Sequence, residues 1–180
     1  QRKELEDVAK REKQKIVGGF VSEPKDGLLE NICLFDMKSL YPSIMIAWNL
    51  SPETIDMNGE IKTITGLKFK KEEGLVKKIL KKLINERDKI RYELPKIKDK
   101  NEYVRQYKLQ YNWKTFGNSF YGVMNYSSFR LYNKEVAETV TKTGRFLLEK
   151  IIFFINKLGY EVVRGDTDSV FVKFDKRMNK

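Results

Sequence analysis

Apolar positions along this chain fall into three kinds of pattern, and each predicts its own element. A continuous apolar run, ICLF (Ile32 to Phe35), has the signature of a short strand buried on both faces and ending at Asp36. In the following SLYPSIMIAW, Pro42 stands where the first turn of a helix accepts it. From Leu75 apolar residues recur at helical spacing as far as Leu94, where Pro95 closes the helix. A second helical pattern runs from about Asn101 to Tyr121 and is joined to the first by IKDK, so the pair predicts an αα-hairpin. A third spans about Lys134 to Leu158 and is ended by Gly159. Its second half, FLLEKIIFFI, is apolar nearly all round and is expected to be the most buried helix. Two β-rich segments, YEVVR (160–164) and SVFVKF (169–174), are separated by a four-residue turn and predict a β-hairpin.

The intervening stretches read as punctuation. Gln1 to Lys15 is charged and helix-prone, a frayed helix or the cut end of something longer. Gly18-Gly19 breaks it, Glu23 to Gly27 (EPKDG) reads as a turn, and Ser51-Pro52 and Asn58-Gly59 mark loops or a hairpin. No internal repeat or low-complexity tract is present. This order predicts an α+β fold, an antiparallel sheet backed by helices, with the helical hairpin inserted as an arm. The expected division is 1–66, 67–122 and 123–180.

Composition narrows the chemistry. There is no histidine, which excludes Ser-His-Asp or Cys-His catalysis and imidazole-ligated zinc. The single Cys33 excludes an internal disulfide and a multi-cysteine cluster. No apolar run reaches bilayer length and no signal peptide opens the chain, so the expectation is a soluble protein of a reducing compartment, with no membrane partner. The net charge is +11, and the stretch from Lys68 to Lys114 holds 16 basic against 7 acidic residues, +9 of it. A solvated helical surface would account for that; so would a nucleic acid or nucleotide, whose phosphates such a cluster neutralises.

Gly165-Asp166-Thr167-Asp168 places two carboxylates at a hairpin turn, a repulsion that a cation would relieve. A lone Asp-x-Asp is read as an ordinary turn. With Asp36 at the end of a buried strand as third acid, an all-oxygen magnesium site is the better reading.

On the first arm helix Val76, Ile79, Leu83, Ile90 and Leu94 make one stripe, while Lys77, Lys78, Lys81, Lys82 and Lys89 face solvent. Arg87 and Arg91 share a face with Leu80 and Ile84, fit either to hold a phosphate chain or to pack their stems with the heads in water. On the second helix Leu109, Trp113, Phe116 and Phe120 are read as core. Its other face carries Tyr103, Tyr107, Tyr111, Lys114, Asn118 and Tyr121, which suits bases and phosphates or an interface with a neighbouring helix.

These positions resemble the palm and fingers of a family B DNA polymerase, nearest to the archaeal members. Three segments carry the resemblance in the family's order: DMKSLYPSI (36–44), KTFGNSFYG (114–122) and GDTDS (165–169). Lesser echoes are Gly18-Gly19, NLSPETI (49–55), NERDKIR (85–91), and Thr141, Gly144 and Arg145 as T-x-x-G-R. The likeness covers nearly everything from Ile16 to Phe174. It implies that 1–66 and 123–180 are parts of the palm and 67–122 the fingers.

It further implies template-dependent addition of deoxynucleotides to a primer 3′-hydroxyl, aided by two Mg2+ ions for which Mn2+ can substitute. Asp36 and Asp168 would hold the metals, with Asp166 in support and the Met37 carbonyl as a further ligand. The N–H groups of Ser39 and Leu40 would meet phosphates at a helix start, and Arg87, Arg91 and Lys114 would grip the triphosphate. Tyr41 is placed as the steric gate against a 2′-hydroxyl, which disfavours ribonucleotides as substrates. Asn118 and Tyr121 would line the nascent base pair, Thr167 the primer end, and Gly18 and Gly19 would contact DNA. Arg164 stands where the family usually has tyrosine, and Asn125 where archaeal relatives commonly have glycine.

The implied partners are primer–template DNA, dNTPs, the exonuclease and thumb segments of the same polymerase, and a sliding clamp met through those segments, in a nucleoid-associated cytoplasmic setting. The chain is expected to be a central piece, a trimmed fragment or one subunit of a split enzyme, that acts weakly alone. A catalytically silent nucleic-acid-binding module is the second expectation, and an unrelated transferase sharing the Asp-x-Asp turn a distant third.

Overall fold

The computed structural model describes residues 18–23 and 25–174. The helix expected over Gln1 to Lys15 lies outside them, as does Pro24 of the expected turn. The described chain forms two compact units, residues 41–140 and residues 18–40 with 141–174.

The second unit is built on a three-stranded antiparallel sheet of order β1-β5-β4, with β1 Ile32–Asp36, β4 Glu161–Asp166 and β5 Ser169–Lys173. Val170 and Val172 of the central strand and Leu148 of a long helix form its buried centre, joined by Ile151, Ile152 and Ile155 of the same helix. A helix-backed antiparallel sheet is thus present. Two expectations fail here. Strand β1 is not buried on both faces: Leu34 and Phe35 are 54% and 49% exposed. As an edge strand it pairs on one side only, and none of its residues belongs to the cluster under the helix. The helix, α4 (Lys134–Lys157), is most buried in its first half, at Val136, Ala137 and Val140, not over FLLEKIIFFI. Phe153 and Phe154 of that segment are exposed, because one sheet face cannot cover a helix that is apolar all round.

In the unit of residues 41–140, α1 (Leu40–Ala47) leads through a 3-10 turn at Pro52–Thr54 to a small hairpin of β2 (Ile61–Lys62) and β3 (Lys68–Phe69). Gly59 sits beside the main chain of Phe69, where a Cβ would come within 2.6 Å of a carbonyl carbon. Then follow α2 (Leu75–Glu93), a turn containing Pro95, and α3 (Lys100–Asn125), which pack as the predicted hairpin. Asp99 caps α3 by accepting the Glu102 N–H at 2.7 Å. The α2 bounds agree with the sequence pattern because Pro95 leaves little choice. Helix α3 runs one turn past Tyr121, ending at Asn125.

The buried stripe of α3 is Gln110, Gly117, Phe120 and Met124, with Trp113 half-buried between them. Leu109 and Phe116, expected in the core, are 40% and 52% exposed. The stripe is rotated by about one residue, toward the face where Gln110 accepts a hydrogen bond from Arg87 Nε at 3.3 Å. On α2 the buried residues are Val76, Leu80 and Leu83, so Leu80 joins the stripe rather than flanking it.

Candidate active site

The register of the sheet brings the acids together. Asp36 of β1 and Asp166 of β4 both pair with Ser169 of the central strand. Directly paired residues of antiparallel strands project from the same face, so Asp36 and Asp166 share one face of the sheet and flank Ser169. Their main chains are two strand spacings apart, about 10 Å. Beyond the ladder the Met37 N–H donates to the Asp168 carbonyl at 2.7 Å, so the residue after Asp36 lies against the third acid. Asp36 and the Asp166–Asp168 turn, more than a hundred residues apart in sequence, thus meet at one end of a small sheet.

The hairpin turn is tighter than expected. Strand β4 continues through Gly165 and Asp166, leaving Thr167 and Asp168 as a two-residue turn. Thr167 adopts a φ of +51°, unfavourable for a β-branched residue. Its N–H donates to the Phe20 carbonyl at 2.7 Å, and its hydroxyl to Asp166 Oδ1 at 3.2 Å. The neighbouring Ser22 N–H donates to the Gly165 carbonyl at 2.9 Å, and the Gly165 N–H to Ser22 Oγ at 2.8 Å. Arg145 Nη1 donates to the Gly18 carbonyl at 3.3 Å. Gly18-Gly19, the T-x-x-G-R element and GDTDS are therefore parts of one assembly, in which residues 18–22 brace the acidic turn.

Arg164 is the feature that sequence reasoning flagged without explaining. It lies two residues before Asp166 on the same strand, hence on the same face, and its Nη2 donates to Asp166 Oδ2 at 2.8 Å. Both oxygens of Asp166 are thus engaged, one by Arg164 and one by Thr167. The Arg164 Nε is buried with no hydrogen-bond partner. Among the described residues no group of three or more acidic or cysteine side chains is closed up as a cage. A hard divalent ion taking one or two carboxylates and completing its shell with substrate phosphates and water needs none. The donor chemistry, carboxylate and carbonyl oxygen only, fits such an ion.

Ser39, at a φ of +52°, and Leu40 begin α1 where the chain turns out of β1. Among residues 41–140, Tyr41 on α1 and Tyr121 on α3 meet, ring centroids 4.8 Å apart and tilted by 53°. Burial pushes the Tyr121 hydroxyl above its ordinary pKa, so it stays neutral. Arg87 is half-buried, and burial together with the neighbouring Arg91 lowers its pKa, outweighing Asp88. Arg91 lies 3.9 Å from Asp88. Lys114 and Asn118 are exposed, four residues apart on one face of α3. Arg87, through Gln110, reaches α3 one turn before Lys114, about 6 Å along the axis.

The sequence profile of DNA polymerase family B matches residues 4–180. A DNA polymerase of Archaeoglobus fulgidus is 38% identical over 162 residues, covering 86% of this chain and 20% of that protein. One from Thermococcus gorgonarius is 38% identical over 170 residues, covering 89% and 22%. The solved structure of the family B DNA polymerase from Pyrobaculum calidifontis superposes with a TM-score of 0.77 at 35% identity, over 94% of this chain and 24% of that one. The chain thus spans about a fifth of the length of the curated relatives it matches. The order of three long motifs, the sheet that gathers the acids of two of them, and a profile match over nearly the whole sequence agree: this chain belongs to DNA polymerase family B.

Proposed function

We propose that this chain carries the nucleotide-transfer centre of a DNA-directed DNA polymerase, which extends a primer 3′-hydroxyl with deoxynucleotides chosen by a template. The observation that carries the reading is the convergence of Asp36, Asp166 and the Asp168 main chain at one end of the sheet. Asp36 and Asp168, with the Met37 carbonyl, would hold two Mg2+ ions, or Mn2+ in their place. Asp166, already held by Arg164, would act in support. Such ions, when bound, make the hydroxyl a better nucleophile and neutralise charge on the triphosphate and the departing pyrophosphate.

The protein's own groups do the positioning. The N–H groups of Ser39 and Leu40, at the start of α1, would serve as anion donors. Arg87, Arg91 and Lys114 supply fixed positive charge for the triphosphate, Arg87 anchored by Gln110. Tyr41, held against Tyr121, would be the floor under the sugar that a 2′-hydroxyl strikes, and Asn118 and Tyr121 would line the nascent base pair. Thr167 would contact the primer end, and Gly18 and Gly19 the DNA beside it. In this reading 1–66 and 123–180 belong to the palm and 67–122 forms the fingers.

Exposed apolar side chains on the sheet unit, Leu34, Phe35, Phe153, Phe154 and Leu158, support further polymerase segments as partners of this one, an exonuclease and a thumb among them. Without them the chain should bind primer–template weakly. The Arg164–Asp166 pair favours a second reading, a silent module that binds DNA without catalysis.

The test transplants this segment into a complete archaeal family B polymerase and measures single-nucleotide incorporation against divalent-ion concentration. Incorporation should require Mg2+ or Mn2+, and Lys114→Ala should cost roughly 10²–10³ in rate, as for loss of one preorganised charge. DNA binding with no incorporation at any divalent-ion concentration would instead select the silent module.

A further inference from the structure

The most distinctive surface with side chains not yet used is one face of α3. At about 100° per residue, Lys100, Tyr103, Tyr107, Tyr111, Lys114 and Asn118 fall within an arc of about 80°, with Tyr121 closing it. That arc is separate from the buried stripe of Gln110, Gly117, Phe120 and Met124. Tyr103, Tyr107 and Tyr111 are 42%, 50% and 55% exposed. The rings of Tyr103 and Tyr107 are nearly parallel, 15° apart in orientation with centroids 6.3 Å apart, so they offer parallel faces along the axis. The face carries no acid: the only acidic residue of this 26-residue helix, Glu102, lies away from it and pairs with Arg105. A solvated helix has no need of three exposed tyrosines in register between lysines, and burying rings is not what they do here.

We propose that this face is a stacking track for single-stranded DNA, specifically the unpaired template ahead of the primer terminus. Aromatic rings in a row accept bases of any sequence, and Lys100 at the outer end of the row would meet a phosphate of the strand. Charge complementarity favours a polyanion, since the arm from Lys68 to Lys114 holds +9 of the net charge. Continuity selects the template strand. The track runs outward from Asn118 and Tyr121, so the strand it receives is the one that continues past the nascent pair. This last step rests on the function proposed above.

The experiment measures binding of fluorescent primer–templates to the full chain by anisotropy. One duplex carries a 5′ template overhang of about a dozen nucleotides, one of about two, and one a displaced strand of the longer length in place of the overhang. Tyr103→Ala/Tyr107→Ala should weaken binding of the long overhang about 10-fold and leave the short one unchanged. Tyr103→Phe/Tyr107→Phe, which keeps the rings, should bind like the unaltered protein. The dependence of log K on log salt should keep its slope in both, because no charge is removed. Equal affinity of the alanine variant and the unaltered protein for the long overhang would overturn the track. So would a loss of equal size on the short overhang, or one confined to the displaced strand. Failure of a complete archaeal family B polymerase carrying this segment to bind any of the three duplexes would count against the polymerase reading itself; binding that ignores the tyrosines removes only the track.

Discussion

Replacing Asp168 with alanine, in a complete polymerase carrying this segment, is expected to reduce nucleotide incorporation by at least about 10³-fold while leaving fold and primer–template affinity nearly unchanged. Metal-assisted charge stabilisation contributes several kcal/mol to such a step, and each 1.4 kcal/mol is about a tenfold change in rate. The main chain should tolerate the change. Asp168 holds its place through main-chain bonds, its carbonyl receiving the Met37 N–H and its own N–H reaching the Asp166 carbonyl at 2.6 Å. Removing a carboxylate from an acidic turn also relieves repulsion. Single-turnover incorporation, with thermal unfolding and DNA affinity measured on the same variant, separates a catalytic loss from a folding one. Incorporation within tenfold of the unaltered enzyme would remove Asp168 from the site.

The second large effect concerns folding. Asn49 is fully buried and ends α1 at a φ of +53°, a left-handed conformation that asparagine tolerates better than most residues. Its Nδ2 donates to the carbonyls of Lys70 and Glu72, both at 2.7 Å, and its Oδ1 accepts the Gly74 N–H at 3.0 Å. The next two N–H groups of the α2 start are also met from this loop, Leu75 by Glu53 Oε1 at 2.6 Å and Val76 by Ser51 Oγ at 3.3 Å. The first turn of α2 is therefore capped by the N-L-S-P-E segment. Gly74 permits the approach, since a Cβ there would stand 2.8 Å from that of Ser51. Asn49→Ala strands buried polar groups on both segments and leaves alanine at a positive φ. A cost of about 3–5 kcal/mol follows, a large share of the roughly 5–15 kcal/mol that holds a domain together. Asn49→Gly keeps the backbone conformation at little strain and should recover the part due to φ alone. Denaturant unfolding of the two variants measures both contributions.

How much of this was legible in sequence depended on the kind of signal. Elements bounded by proline, glycine or a capping acid were readable, as Leu75–Glu93 before Pro95 and the end of α4 at Gly159 illustrate. The rotation of α3 was not. A hydrophobicity pattern selects Leu109 and Phe116, whereas the packed face is chosen by how two helices dock, and it buries Gln110 because Arg87 satisfies it. Exposure of β1 and of Phe153 and Phe154 was equally hidden, since an apolar run reports a capacity for burial and not whether a neighbour covers it. The meeting of Asp36 with Asp166 rests on a strand register across a long sequence separation, suggested by motif resemblance but fixed only by the sheet. Arg164 shows the opposite case. Its identity stood out at once, while its ion pair with Asp166 needed the knowledge that β4 runs two residues further than its apolar pattern.

The claim on which the rest depends is that Asp36 and Asp168 share a divalent-ion site. Titration of the chain with Mn2+, followed by the loss of the free-ion electron paramagnetic resonance signal, tests it without requiring catalysis. Asp36→Ala and Asp168→Ala should each abolish the same tightest site, and an alteration at the remote exposed Asp26 should leave it intact. Mn2+ binding by Asp36→Ala indistinguishable from that of the unaltered chain would contradict the account.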